Sequence, residues 1–182
     1  MKKRNQIPKG DVMKINRKIV VKFTAALLAM FIALGVTGCN NNQSNLARVD
    51  MEKMQKDMLE ADSSLPQMEI MNSKKAEGES SFKYLSRLDY SKVSDYFLLY
   101  SSEGKADEIA VIELKSKSDM AGAKASLEEH LKKRHNTFEQ YEPSEVPRVD
   151  TAKIVEKEQY IALIICNNAD NVKSAFLKMF EK

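Results

Sequence analysis

Val93-Ser94-Asp95-Tyr96-Phe97-Leu98-Leu99-Tyr100-Ser101 and Glu108-Ile109-Ala110-Val111-Ile112-Glu113-Leu114-Lys115 are two apolar runs rich in β-branched and aromatic residues. Between them lies the polar Ser102-Glu103-Gly104-Lys105-Ala106-Asp107. This pattern predicts two adjacent antiparallel strands. Ile109-Ala110-Val111-Ile112 does not alternate between apolar and polar, so the second strand belongs in a sheet interior with a covering layer near both faces.

Downstream the period changes. Met120, Ala123, Leu127, Leu131, Arg134, Phe138 and Tyr141 recur every three or four residues, which predicts one helix over 118–141. At 1.5 Å per residue that helix is about 36 Å long. Ser118 is placed as its N-cap with Asp119 in the first turn, and Pro143 and Pro147 stop it after Tyr141. Two further strands are expected at 152–155 and 160–166, joined through Glu156-Lys157-Glu158-Gln159. Val172, Ala175, Phe176, Met179 and Phe180 mark a last amphipathic helix, capped by Asn168 or Asp170. Upstream, Ala47, Met51, Met54, Met58 and Ala61 predict a helix over 46–62 with a methionine-rich buried stripe. Leu65-Pro66 ends it, and a short extended piece is expected at 67–71. Residues 72–81 read as a polar loop, followed by a short helix using Phe82, Leu85 and Leu88. The order of elements is that of an α+β domain: a small antiparallel sheet of about four strands packed with helices.

Before this domain, residues 23–38 form sixteen positions without a charge, headed by Lys14, Arg17, Lys18 and Lys22. The run is short for a membrane span, which needs about 20 apolar residues, and suits the apolar region of a cleaved secretory signal. Met13 opens a signal of ordinary length, so the start codon is Met1 or Met13. Val36-Thr37-Gly38-Cys39 closes the run and resembles the bacterial lipobox, which implies a diacylglycerol on the Cys39 sulfur and cleavage before it. Residues 1–38 are therefore expected to be a signal peptide, 39–45 a lipidated cysteine and polar tether, and 46–182 a single α+β domain. Residues 1–38 hold eight of the 29 basic residues and one of the 26 acids, which leaves 21 basic and 25 acidic residues in the mature chain. The overall charge of +3 thus belongs to the leader and gives no support to nucleic-acid binding. Lipidation of Cys39 leaves Cys166 without an intramolecular partner, and its place at the end of an apolar strand predicts a buried, inert thiol.

No catalytic signature emerges. His130 and His135 lie about 140° apart on one helix at 100° per residue, so they cannot converge on a metal ion, and each reads as a solvated side chain. Only Gly78, Gly104 and Gly122 are available to the mature chain for a phosphate-cradling loop. Ser80 and Ser81 lack the surroundings of a nucleophile elbow. Asp107-Glu108 and Glu128-Glu129 read as solvated acid pairs. The sharpest constellation is Arg134, Phe138 and Tyr141, which puts a guanidinium beside two rings and can recognise a carboxylate, phosphate or sugar. The competing reading has Arg134 packing its stem on the core edge and pairing with Asp107 or Glu108. No cofactor is indicated.

Taken together, 106–111, 131–134, 138–143, 152–155, 160–166 and 170–176 resemble, in order and spacing, a family of small lipoproteins of clostridial anaerobes known only as a domain of unknown function. The resemblance spans about residues 46–180. It departs at Lys157-Glu158-Gln159, where relatives usually carry a glycine, so the hairpin there is expected to be longer or differently shaped. It implies a lipoprotein with no established activity and supplies no catalytic residues.

The function expected from these features is that of a non-catalytic accessory or binding lipoprotein, held on the extracytoplasmic side of the membrane by acylated Cys39. Its partner would be an envelope protein or polymer. An enzyme or enzyme subunit acting on envelope polymers is the alternative, and a ligand-sensing domain using the Arg134 face is the second.

Overall fold

The computed structural model describes residues 49–181. Val36, Thr37, Gly38, Cys39, the tether to residue 45 and Ala47 lie outside the described residues. Within them, five strands form one antiparallel sheet in the order β1-β2-β3-β5-β4. They are β1 (Met68–Asn72), β2 (Val93–Ser101), β3 (Glu108–Leu114), β4 (Lys153–Lys157) and β5 (Tyr160–Ile165). The fold class is α+β, with the extended piece after Pro66 as the fifth strand.

Side chains alternate across the pleat, so the sheet has two apolar faces. Tyr96, Leu98, Ala110, Ile112, Ile161 and Leu163 share one core, and Phe97, Leu99, Ile109, Val111, Ala162 and Ile164 share the other. This explains the unbroken apolar run in β3: every residue of the strand is buried under a covering layer.

The first face is covered by α2 (Gly78–Leu85), α3 (Met120–Tyr141) and α4 (Val146–Asp150). The second is covered by α1 (Met51–Glu60) and α5 (Ala169–Lys178), through Met51, Met54, Met58, Val172 and Phe176. The methionine stripe is therefore core, as its spacing and the charged opposite side predict. Both cores close within a compact unit of residues 47–182.

Several boundaries differ from the sequence reading for local reasons. Helix α1 begins at Met51 because the Asp50 carboxylate accepts from the backbone N–H groups of Glu52 and Lys53, capping it later than 46. Residues 78–81 are helical rather than loop. Gly78 starts α2 hard against the chain leaving β1, where a Cβ would stand 2.8 Å from the Ser73 carbonyl oxygen. The buried Tyr96 hydroxyl donates to the Gly78 carbonyl at 2.6 Å and ties this start to β2.

Ser118 does not cap α3. Ser116 caps a preceding 3-10 turn, Lys117–Asp119, and α3 follows from Met120. Pro143 and Pro147 end α3 as expected but also open new helical turns, Pro143–Glu145 and α4, since proline suits a first turn. Asn168 occupies the N-cap position of α5, yet its side chain donates to Asp62 instead of capping. The β4–β5 hairpin is tight, with Lys157 paired to Tyr160 across two turn residues. Glu158 supplies the positive φ, 56°, that a glycine would normally take.

Candidate functional site

Glu108 opens β3 on the same face as Ala110 and Ile112, so its carboxylate points at α3 rather than into solvent. The side chain is 4% exposed, and both oxygens are engaged by α3. His130 Nε2 lies 2.7 Å from Oε1, and a carboxylate only accepts, so that ring nitrogen carries the proton. Arg134 Nε lies 3.2 Å from Oε2. Arg134 also donates to the Ala106 carbonyl at 3.2 Å and stacks its guanidinium 4.7 Å from the centre of the Phe138 ring. His130 and Arg134 reach one carboxylate because residues four apart share a helical face.

Beside this triad the sheet and helices leave a cavity of about 530 Å³. Its floor is two cross-strand rows set by register: Met71 opposite Leu98, and Tyr100 opposite Glu108. Tyr100 is fixed at its outer end by a 2.6 Å hydrogen bond from its hydroxyl to Glu69, which also raises the phenol's pKa. The walls are Tyr84 from α2 and His130, Lys133, Arg134 and Thr137 from α3. The result is a groove with an apolar, aromatic body and a polar end, within the size range of small-molecule sites.

Of the residues singled out in the sequence, Glu108, Arg134 and Phe138 come together here. Tyr141 does not: it is 80% exposed at the end of α3 and is not part of the groove wall. Asp107 also goes elsewhere, because the residue next to Glu108 faces the opposite way. The reading of Asp107-Glu108 as a solvated pair is corrected, since both are buried. His130 is corrected likewise: it is 13% exposed and serves Glu108, whereas the half-buried His135 pairs with Asp150 at 2.7 Å. The competing sequence reading, Arg134 paired with Asp107 or Glu108, holds for Glu108, whereas Met71, Tyr84, Leu98, Tyr100, Lys133 and Thr137 were missed, and the four-residue spacing of His130 and Arg134 is the one local signal for a shared partner.

Asp107 belongs to a second buried polar cluster at the same end of the sheet. Burial pushes its carboxyl pKa up, against the pull of Arg148, whose Nη1 lies 3.0 Å away. Arg148 also pairs with Glu145, which accepts from the Ala106 backbone N–H at 2.9 Å. Nearby, burial alone would raise the pKa of Asp62, but hydrogen bonds from the side chains and backbone N–H groups of Ser64 and Asn168 outweigh it and hold this carboxyl well below the ordinary range. Burial, together with the Asp62 charge, pushes the Cys166 thiol up to about 12, so the predicted buried thiol is also an unreactive one. This cluster ties the loop after α1 to the end of β5 and is structural.

Among the described residues no three His, Cys, Asp or Glu side chains converge as a metal site, and no helix is long and apolar enough to cross a membrane. A family model for a domain of unknown function, DUF4358, matches residues 67–166. The chain belongs to that family. The DUF4358 match runs from the start of β1 to the end of β5 and contains every groove residue, while α1 and α5, which cover the opposite face, lie outside it. It is shorter than the span of 46–180 taken from the resemblance. No curated protein and no solved structure matches the chain.

Proposed function

We propose that this chain is a non-catalytic binding lipoprotein of the cell envelope, anchored by acylated Cys39 with its α+β domain on the extracytoplasmic side, and that the groove over Met71 and Leu98 is its binding site. The observation that carries the binding role is the fixed state of the charged groups at the groove's end. Both oxygens of Glu108 are engaged by His130 and Arg134, and Arg134 is further held by Ala106 and Phe138. Groups locked in this way form a rigid recognition surface, and little side-chain entropy remains to be lost when a partner binds. The lipobox and the basic-then-apolar leader support the location, and so does the family resemblance.

The anchor is tested by mass spectrometry of the mature N-terminal peptide. The expected species begins at Cys39 and carries a diacylglyceryl group; an unmodified peptide beginning upstream of residue 39 contradicts it. Binding is tested by pull-down from solubilised membranes with the lipidated protein, which should recover an envelope protein or polymer that a Tyr84→Ala variant fails to retain.

A second reading, an enzyme or enzyme subunit acting on envelope polymers, draws on one observation: the groove unites Glu108 and His130 at 2.7 Å, an arrangement that can orient an imidazole for proton transfer. Incubation with purified envelope polymers decides it. Products released by the wild type and not by His130→Gln establish that reading, and no products from the wild type remove it.

A further inference from the structure

The groove's exposed charge is of one sign. Its carboxylate, Glu108, is 4% exposed and engaged on both oxygens, whereas the cations Arg134 and Lys133 are 25% and 49% exposed. Glu69, exposed on the same face of the sheet beside Tyr100 but not part of the groove lining, is held by the Tyr100 hydroxyl. Guanidinium carries five N–H donors. One N–H of Nη2 is directed at Ala106 and Nε lies within ion-pair distance of Glu108 without donating to it, which leaves the N–H groups of Nη1 and the second of Nη2 on a fork already oriented by Phe138. Lys133 precedes Arg134 on the same helical wall, and its ammonium pairs with the half-exposed Glu129 at 3.0 Å. Next to this positive end lies an apolar body: Met71 and Leu98 as floor, Tyr100 beside them and Tyr84, 71% exposed, as an aromatic wall.

From this arrangement we infer that the groove takes an amphiphilic organic anion, with a carboxylate or phosphate head on Arg134 and Lys133 and a flat or apolar body between Tyr84 and Tyr100. The inference rests on the groove being the binding site and adds the class of ligand. Aromatic side chains bind a flat body with little loss of their own freedom. The guanidinium edge accepts a planar carboxylate or a phosphate through parallel N–H donors, which an ammonium alone cannot do. A cavity of about 530 Å³ has room for a head and one ring or short chain, and a full diacyl lipid is larger than that. The ligand is thus a free small anion or the exposed head of a lipid.

Both cores close within residues 47–182, so the experiment uses residues 40–182 and calorimetric titration with 3-phenylpropanoate and phenyl phosphate. Each is compared with a neutral counterpart, 3-phenylpropanamide and phenol. A parallel arm measures co-sedimentation with vesicles of neutral phospholipid containing one fifth phosphatidic acid. The anions are expected to bind at least tenfold more tightly than the neutral compounds. Tyr84→Ala and Lys133→Gln, both on the exposed wall, should each weaken anion binding at least threefold while leaving the melting temperature unchanged. Arg134→Gln should abolish the preference for anions over neutral compounds. Co-sedimentation that needs phosphatidic acid and is competed by phenyl phosphate assigns the head to a lipid, and its absence assigns it to a free anion. Equal binding of anion and neutral counterpart, weakened by Tyr84→Ala, overturns the ligand class and leaves the groove as a binding site. Binding of neither, or binding that the three variants do not change, overturns both.

Discussion

Glu158 sits at φ 56° between β4 and β5, in a region that costs a side chain about 1 kcal/mol and costs glycine nothing. The turn forms regardless, because five registered residue pairs, with Lys157–Tyr160 next to the turn, hold the strands on either side. Glu158→Gly should therefore raise the melting temperature by about 4 °C, readable by calorimetry; a lower melting temperature contradicts the turn geometry. Asp62 gives a pH-dependent counterpart. Its pKa in the folded chain lies below the unfolded value near 3.9, so its ionised form favours folding above about pH 4, and that contribution is lost as the pH falls below this. Asp107, raised by burial, acts in the opposite sense and is present in both proteins when wild type and Asp62→Asn are compared. Urea unfolding should show Asp62→Asn less stable by about 2 kcal/mol at pH 7, with the deficit narrowing by pH 3. An unchanged deficit contradicts the account. The missing glycine at 157–159 was legible from sequence, though the turn it reaches is tight rather than longer; the role of Asp62 was not, since it is one of many acids until Asn168 arrives beside it from the far end of the chain.

At the scale of elements, periodicity told most of the story. The three-and-four spacing of Met120, Ala123 and Leu127 marks α3, and Met51, Met54 and Met58 mark α1; each of these side chains is buried. The unbroken apolar run of β3 announced a layer on both faces. What failed were short elements: α2, begun by the close approach of Gly78 to Ser73, and α4, with Pro147 in its first turn. The groove failed as well. Met71, Leu98 and Glu108 come from three strands and meet through register, which no local pattern carries. The methionine stripe offers a test at this scale. Met54 is fully buried, so Met54→Ala should cost about 2–5 kcal/mol in chemical denaturation. A cost below about 1 kcal/mol would mean that α1 is a detachable surface helix and not one wall of the second core.

For the whole molecule, the sheet divides labour between its faces. The face under α1 and α5 is closed by methionine and phenylalanine packing, and the face under α2 and α3 opens at one end into a groove. Residues 67–166, the DUF4358 span, hold the sheet and the groove but not the helices behind it. Two tyrosines stand far out of the surface, Tyr84 in the groove wall and Tyr141 at the end of α3 outside it, at 71% and 80% exposed. A photo-crosslinking amino acid at each position, irradiated in cells and followed by intact mass and gel shift, compares the groove directly with an equally exposed control. The account predicts a discrete adduct from position 84 and none from position 141. An adduct from 141 alone, or the same adducts from both, would contradict the assignment of the groove as the binding site.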